Sequence, residues 1–183
     1  MRRKDREMSV EFGLEVIDRS DFGVLSLVDA HCEPYSVPLS IARDGMSLYF
    51  HSARSGVKTN LLTEGKRVRV VFVSDVRVPE LIENDLLDQM LAEGSGRDVL
   101  GTKVFTTEFA SAIVTGRISM VESDDAKRDA LRLISQRFVP GKMAYFDAAL
   151  GDALAVTSIY SIDIEELTAK RKKFAASGEE QRS

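Results

Sequence analysis

Asp44 and Gly45 lie between two runs of strand-forming residues, YSVPLSIAR and MSLYFHS. A two-residue primed turn needs positive φ, which Asp-Gly tolerates, so the pair predicts an antiparallel hairpin of Tyr35–Arg43 with Met46–Ser52. Pro38 sits inside the first run. A ladder proline belongs at an edge or a bulge, where its missing N–H does no harm.

The flanking sequence extends this pattern. Val10–Ile17 predicts a short helix, and Phe22–Asp29 a strand followed by the polar connection AHCEPY. Ser55–Glu64 predicts a short helix and RVRVVFVSD, 67–75, a further strand. Ile82, Leu86, Leu87, Met90 and Leu91 recur at helical spacing before Gly94, so a helix is expected over Glu80–Ala92, covering the core more plausibly than docking a partner. Residues 95–102 read as a loop, and 103–123 as one bent strand or two joined near Gly116. The clearest helix follows Ser123, Asp124 and Asp125, which suit a helix N-terminus. Its stripe is Ala130, Leu131, Ile134 and Phe138, and Pro140-Gly141 ends it. A last strand is expected over 153–167, then a solvated tail from Ala169.

Strands interrupted by helices, with a hairpin and no βαβ rhythm, exclude a dinucleotide-binding Rossmann domain. The expected class is mainly β (α+β), a small antiparallel barrel with peripheral helices. The domain would span 1–173, with a helical insertion at 80–98 and a flexible tail at 174–183.

The 183 residues suit one domain, and a net charge of −4 with a pI near 5.3 argues against a nucleic-acid partner. No apolar run approaches the roughly 20 residues that span a bilayer. The single cysteine, Cys32, reads as a loop thiol and suits a reducing compartment. With the charged start MRRKDREMSVEFG, which lacks a signal-peptide core, the expected location is the cytoplasm.

Chemistry concentrates in YFHSARSGVKTNLL, residues 49–62. A helix starting near Gly56 would expose unpaired N–H groups and the positive end of its dipole, with Lys58 as a point charge and Ser52, Ser55 and Thr59 as hydroxyl donors. That describes a phosphate cradle, although a glycine and a lysine at an ordinary helix start look the same. His51 is either a ligand-facing hydrogen-bonding group or a strand-end histidine satisfying nearby backbone. His31 falls in a turn, and no His, Cys or carboxylate cluster has metal-ligand spacing.

Taken together, FGVLSLVD, EPYSVPLSIARDGMSLYFHSARSGVKTNLL, VRVVFV, FTTEFASAIVTGRI, AKRDALRLISQRFVPG and VTSIYSIDIEELTAKRKK resemble the pyridoxamine 5′-phosphate oxidase-like flavin-binding split barrels. The branch most similar is that of the 5-nitroimidazole resistance (Nim-type) proteins. The resemblance implies a six-stranded Greek-key split barrel that forms a homodimer, with FMN between the subunits. It implies that the backbone of Val37, Pro38, Leu39 and Ser40 faces the flavin ring. Phe50, His51, Ser52 and Ala53 would run along the flavin, and Gly56, Lys58 and Thr59 would hold its phosphate. His51 would lie at the reactive face as the catalytic residue, and Thr106–Ser111 would come from the partner subunit.

The chain has no Trp and lacks the family's C-terminal Trp- and Arg-x-His-containing motif, which speaks against vitamin B6 oxidase activity. It also has Tyr160 and Ala169 where relatives carry Trp and Gly. The function implied is an FMN-dependent oxidoreductase of a small acceptor, nitroaromatic- or quinone-like, with no nucleic acid or membrane partner. The alternative is a non-catalytic barrel that carries FMN, haem or another flavin-like ligand.

Overall fold

Turn chemistry decides where the first strands go. The structure, a computed structural model, describes residues 3–182; residues 1, 2 and 183 of the expected domain and tail lie outside it. After β1 (Glu7–Met8), Ser9 caps α1 (Val10–Arg19) by accepting from the Phe12 N–H at 3.2 Å. β2 (Gly23–Val28) then runs into a turn built on Asp29. Its carboxylate accepts from the N–H groups of His31 at 2.8 Å and Glu33 at 2.9 Å. Cys32 takes the left-handed position, φ 65°, that a glycine would hold without strain.

This turn folds β3 (Pro34–Leu39) back onto β2, so the expected strand Tyr35–Arg43 is split. Ser40 and Ile41 leave the ladder, Ile41 going wholly into the core, and only β4 (Ala42–Asp44) pairs with β5 (Ser47–Ala53). The expected hairpin is present in that shortened form, around Gly45-Met46 with Gly45 at φ 54°. Pro38 does lie on an edge strand.

The remaining elements are α2 (Val57–Leu61), β6 (Arg67–Arg77), α3 (Asn84–Ala92), α4 (Arg97–Val99), β7 (Glu108–Met120), α5 (Asp124–Phe138), α6 (Phe146–Val156), β8 (Thr157–Phe174) and β9 (Glu180–Gln181). A wide π-helical turn continues α4 over Leu100–Val104, where a loop to 102 and then a strand were expected, so β7 begins at Glu108 rather than 103. The last strand starts at Thr157 rather than 153, because FDAALGDALAV is rich in good helix formers and becomes α6.

The expected tail is also corrected. Ala169–Phe174 belongs to β8, and the chain turns at Gly178 (φ 76°) to bring β9 back onto it. Phe174 is buried and its N–H donates to Glu108 Oε1 at 2.7 Å, while Arg6 and Arg3 hold Glu180.

The strands follow the order β3-β2-β6-β7-β8-β5-β4, each neighbour antiparallel, with β1 and β9 added along β8. The outermost strands, β3 and β4, are joined by Ser40 and Ile41 alone, so the sheet must curl until its ends approach. They do not pair, and the barrel stays split. Six of its strands have six residues or more, and β4 has three. The architecture is the expected mainly β, α+β class.

Inside the curl, Leu25, Leu48, Phe50, Val70, Phe72, Val114 and Ile162 are wholly buried, joined by Val16 and Ile17 of α1. Phe50 stacks on Tyr160 with ring centroids 5.4 Å apart and planes 17° apart. On the other face of β5 and β8, α5 buries Ala130 and Ile134. Arg137 near its end donates to the carbonyls of Ile17 at 2.6 Å and Ser20 at 2.7 Å, tying α5 to the end of α1. By contrast, α3 buries none of its residues, and Leu86 and Leu91 reach solvent. It does not cover the core as expected; α1 is the helix that packs against β6, β7 and β8. Among the described residues, no helix is long and apolar enough to cross a membrane.

β7 is one strand. Thr115 faces Glu166 while Gly116 faces Ile164, so Glu165 is an extra residue on β8. A Cβ on Gly116 would press into the carbonyl oxygen of Asp163 and come within 2.7 Å of Ile162 Cγ2. Gly116→Ala should therefore cost about 1–3 kcal/mol of stability, seen as a lower urea midpoint. A midpoint equal to wild type would show that the bulge yields freely.

Candidate functional site

The pleat of β5 sorts the expected flavin-side residues into two groups. Leu48, Phe50 and Ser52 point into the barrel, and His51 and Ala53 point outward and are exposed. Phe50 has no exposed surface, so it can offer an external ligand only backbone. Ser52 is 3% exposed, and its Oγ has no hydrogen-bond partner among the described residues. A buried hydroxyl left this way costs free energy until something pairs with it.

Beyond β5 the chain turns through Arg54, Ser55 and Gly56 into α2. Gly56 stands at the helix start with φ 118°, a conformation that L side chains resist, and no side chain caps the helix. The N–H groups of Val57, Lys58 and Thr59 thus have no acceptor within the helix. Thr59 Oγ1 donates to the Ala53 carbonyl at 3.0 Å. Its hydroxyl proton is spent fastening the helix to the strand end, which leaves its N–H for a ligand. Arg54, which the sequence reading passed over, donates to the Leu154 carbonyl at 3.2 Å and ties the loop to α6.

Lys58 is half-buried, and no carboxylate among the described residues lies within ion-pairing distance of it. Desolvation lowers its pKa. His51 is pushed below 6.5, first by partial desolvation at the strand end and then by the charge of Lys58. The structure thus brings His51 and Lys58 close on one surface, with the imidazole held neutral at pH 7.

The β3 residues reach the same neighbourhood through the curl. Ala42 pairs with Tyr49, so Ser40, two places earlier, arrives near the level of His51. Pro38 and Ser40 face outward, whereas Val37 and Leu39 pack against the core. Thr106–Ser111 lies elsewhere, on β7 and the turn before it. There Thr106, Glu108 and Ala110 are buried, and Thr106 Oγ1 is bound by Lys172.

A sequence model described as pyridoxamine 5′-phosphate oxidase matches residues 11–81 and 91–171. The chain belongs to the pyridoxamine 5′-phosphate oxidase family. The match leaves out 82–90, most of which is occupied by α3. No curated protein sequence matches the chain.

Several solved structures share the fold of this family member. A candidate 5-nitroimidazole antibiotic resistance protein from Bacteroides thetaiotaomicron matches with TM-score 0.66 and 18% identity, over 90% of this chain and 86% of that one. The FAD and heme binding protein of Mycobacterium smegmatis matches with TM-score 0.68 and 22% identity, over 91% and 73%. A FAD-binding protein of Mesorhizobium loti matches with TM-score 0.58 and 20% identity, over 92% and 98%.

The coupling of His51 to Lys58 has a measurable sign. A base whose folded pKa is depressed binds fewer protons folded than unfolded, so its contribution weakens the fold as pH falls below 6.5. The His51 ring should titrate below 6.5 by NMR, and Lys58→Gln should move its midpoint up. An unchanged midpoint would show that the two groups do not feel each other.

Proposed function

We propose that the chain binds FMN along His51–Thr59 and uses it to pass electrons to a small acceptor, nitroaromatic- or quinone-like. The observation that carries this reading is Lys58: a desolvated cation with no acidic partner among the described residues, one turn into a helix that starts on an uncapped glycine. The fit to a phosphate rests on Lys58 and the N–H groups of the first turn, since the Thr59 hydroxyl is already engaged. One lysine at a five-residue helix suits a single terminal phosphate. Relatives of the same fold named as FAD-binding support a flavin ligand.

FMN would supply the electron transfer, and the protein supplies position and electrostatics. Neutral His51 offers one N–H and one lone pair toward a bound acceptor. The outward backbone of Pro38 and Ser40 provides a surface for the ring. Phe50 and Tyr160 stiffen the strand from behind.

A homodimer completes the proposal. On the outer face Val24 pairs with Val71 and Val71 with Ile113, an apolar row across β2, β6 and β7. Val73 beside it is 47% exposed and Ile113 is 38% exposed. An apolar row of this kind on a sheet face suits a second copy of the chain.

Purified protein should take up FMN and, once reduced, be reoxidised by an acceptor. Failure to take up FMN would overturn the proposal, and uptake without reoxidation would make the protein a carrier. Lys58→Ala should lose about 1.5–3 kcal/mol of FMN affinity. His51→Ala should keep FMN and lose turnover; equal turnover would remove His51 from the chemistry.

A further inference from the structure

A second cationic locus lies at the other end of β8. There α1 and the ends of β6, β7 and β8 enclose a cavity of about 420 Å³, lined by Phe12, Arg19, Arg77, Arg171, Lys172 and Lys173, with Asp75 and Glu108. Thr157, the partner of Ala53, marks the opposite end of the strand, so this cavity is separate from the Lys58 loop.

The positive charge there is only partly compensated. Arg19 lies 3.2 Å from Asp75, and Arg77 pairs with Glu108. Both carboxylates that line the cavity are thereby engaged. Arg171 makes no ion pair among the described residues, and its buried Nε donates to nothing. Lys172 donates to Thr106 Oγ1, which carries no charge, and Lys173 is exposed at the rim. Lys172 and Lys173 have Glu180 and Glu108 near them, so Arg171 is the cation of this cavity left without an anion among the described residues, in a chain whose net charge is −4.

The arrangement is held in place. Arg171 and Arg19 each lie 5.6 Å from the Phe12 ring centroid, which fixes both guanidiniums against the cavity wall. Arg171 shares its face of the sheet with Ala110, whose small side chain leaves space in front of it. A guanidinium presents its donors in a planar fork that matches carboxylate and phosphate oxygens, and an unpaired buried Nε calls for such an acceptor. Barrel mouths of this volume commonly hold one small ligand.

We propose that this cavity binds a small dianion, a phosphate ester or a dicarboxylate, with Arg171 as its principal contact. The proposal stands independently of the flavin reading. Isothermal titration of the full chain at low salt, with methyl phosphate in one arm and succinate in the other, tests it and separates the two chemistries. One anion per chain should bind in at least one arm. Arg171→Gln should weaken it by roughly tenfold or more. Lys173→Gln, at the exposed rim, should weaken it by a smaller factor with an unchanged circular dichroism spectrum. Lys58→Ala should leave it unaltered, whatever happens to flavin binding. No binding of either anion at millimolar concentration, wild-type affinity in both cavity variants, or loss of binding in Lys58→Ala would overturn the proposal.

Discussion

The extra residue at Glu165 sets which way β8 faces, and much of the molecule depends on that. Before it, Tyr160, Ile162 and Ile164 point into the barrel; after it, Leu167, Ala169 and Arg171 do. The inward parity thus changes from even to odd within one strand. Without the extra residue, Thr168 and Lys170 would be turned toward the core in place of Leu167 and Ala169, and burying an unpaired charge there would cost free energy. Gly116 makes the switch possible by letting the Asp163 carbonyl approach where a side chain would block it. The first part of β8 then carries β5, and its last part carries β1 and β9.

Local signals were readable where a single interaction decides the outcome. The hairpin at Gly45, one residue later than the Asp44-Gly45 turn expected, the Ser123 cap and the edge placement of Pro38 are of this kind. Long-range competition was not readable. Nothing in YSVPLSIAR says that its first half pairs backward onto β2 while its last residues pair forward onto β5; the Asp29 carboxylate and the Cys32 turn decide that. The basic run KRKK looked like a solvated tail because strand alternation cannot be seen in a row of like charges. Its sign was Ala169 and Phe174 at either end, both buried. The helical spacing of α3 was read from Leu86 on, although the helix starts at Asn84 rather than Glu80 and leaves Ile82 outside it, and amphipathicity alone does not say whether the barrel still has room for another helix.

The candidate site divides along the same lines. Residue types and spacing pointed to an anion at 51–59, and the fold added which side of the sheet each residue serves. Sequence gave no warning that the Thr59 hydroxyl would be consumed internally or that Ser52 would be left unpaired. Nor did it distinguish Arg171 from its basic neighbours, since only the pleat and the Phe12 ring make it different from Lys170.

The two-residue link between β3 and β4 has a consequence for life in a crowded solution. A sheet that stays split has two free borders, and free borders recruit other chains. Here both are blunted. β4 is too short to template a neighbour, and β3 carries Pro34 and Pro38 at positions of the same parity. A ladder proline turns its missing N–H to the open side, so that border offers few donors to an incoming strand. The split that leaves the barrel open is therefore bounded by strands poorly suited to fibre growth.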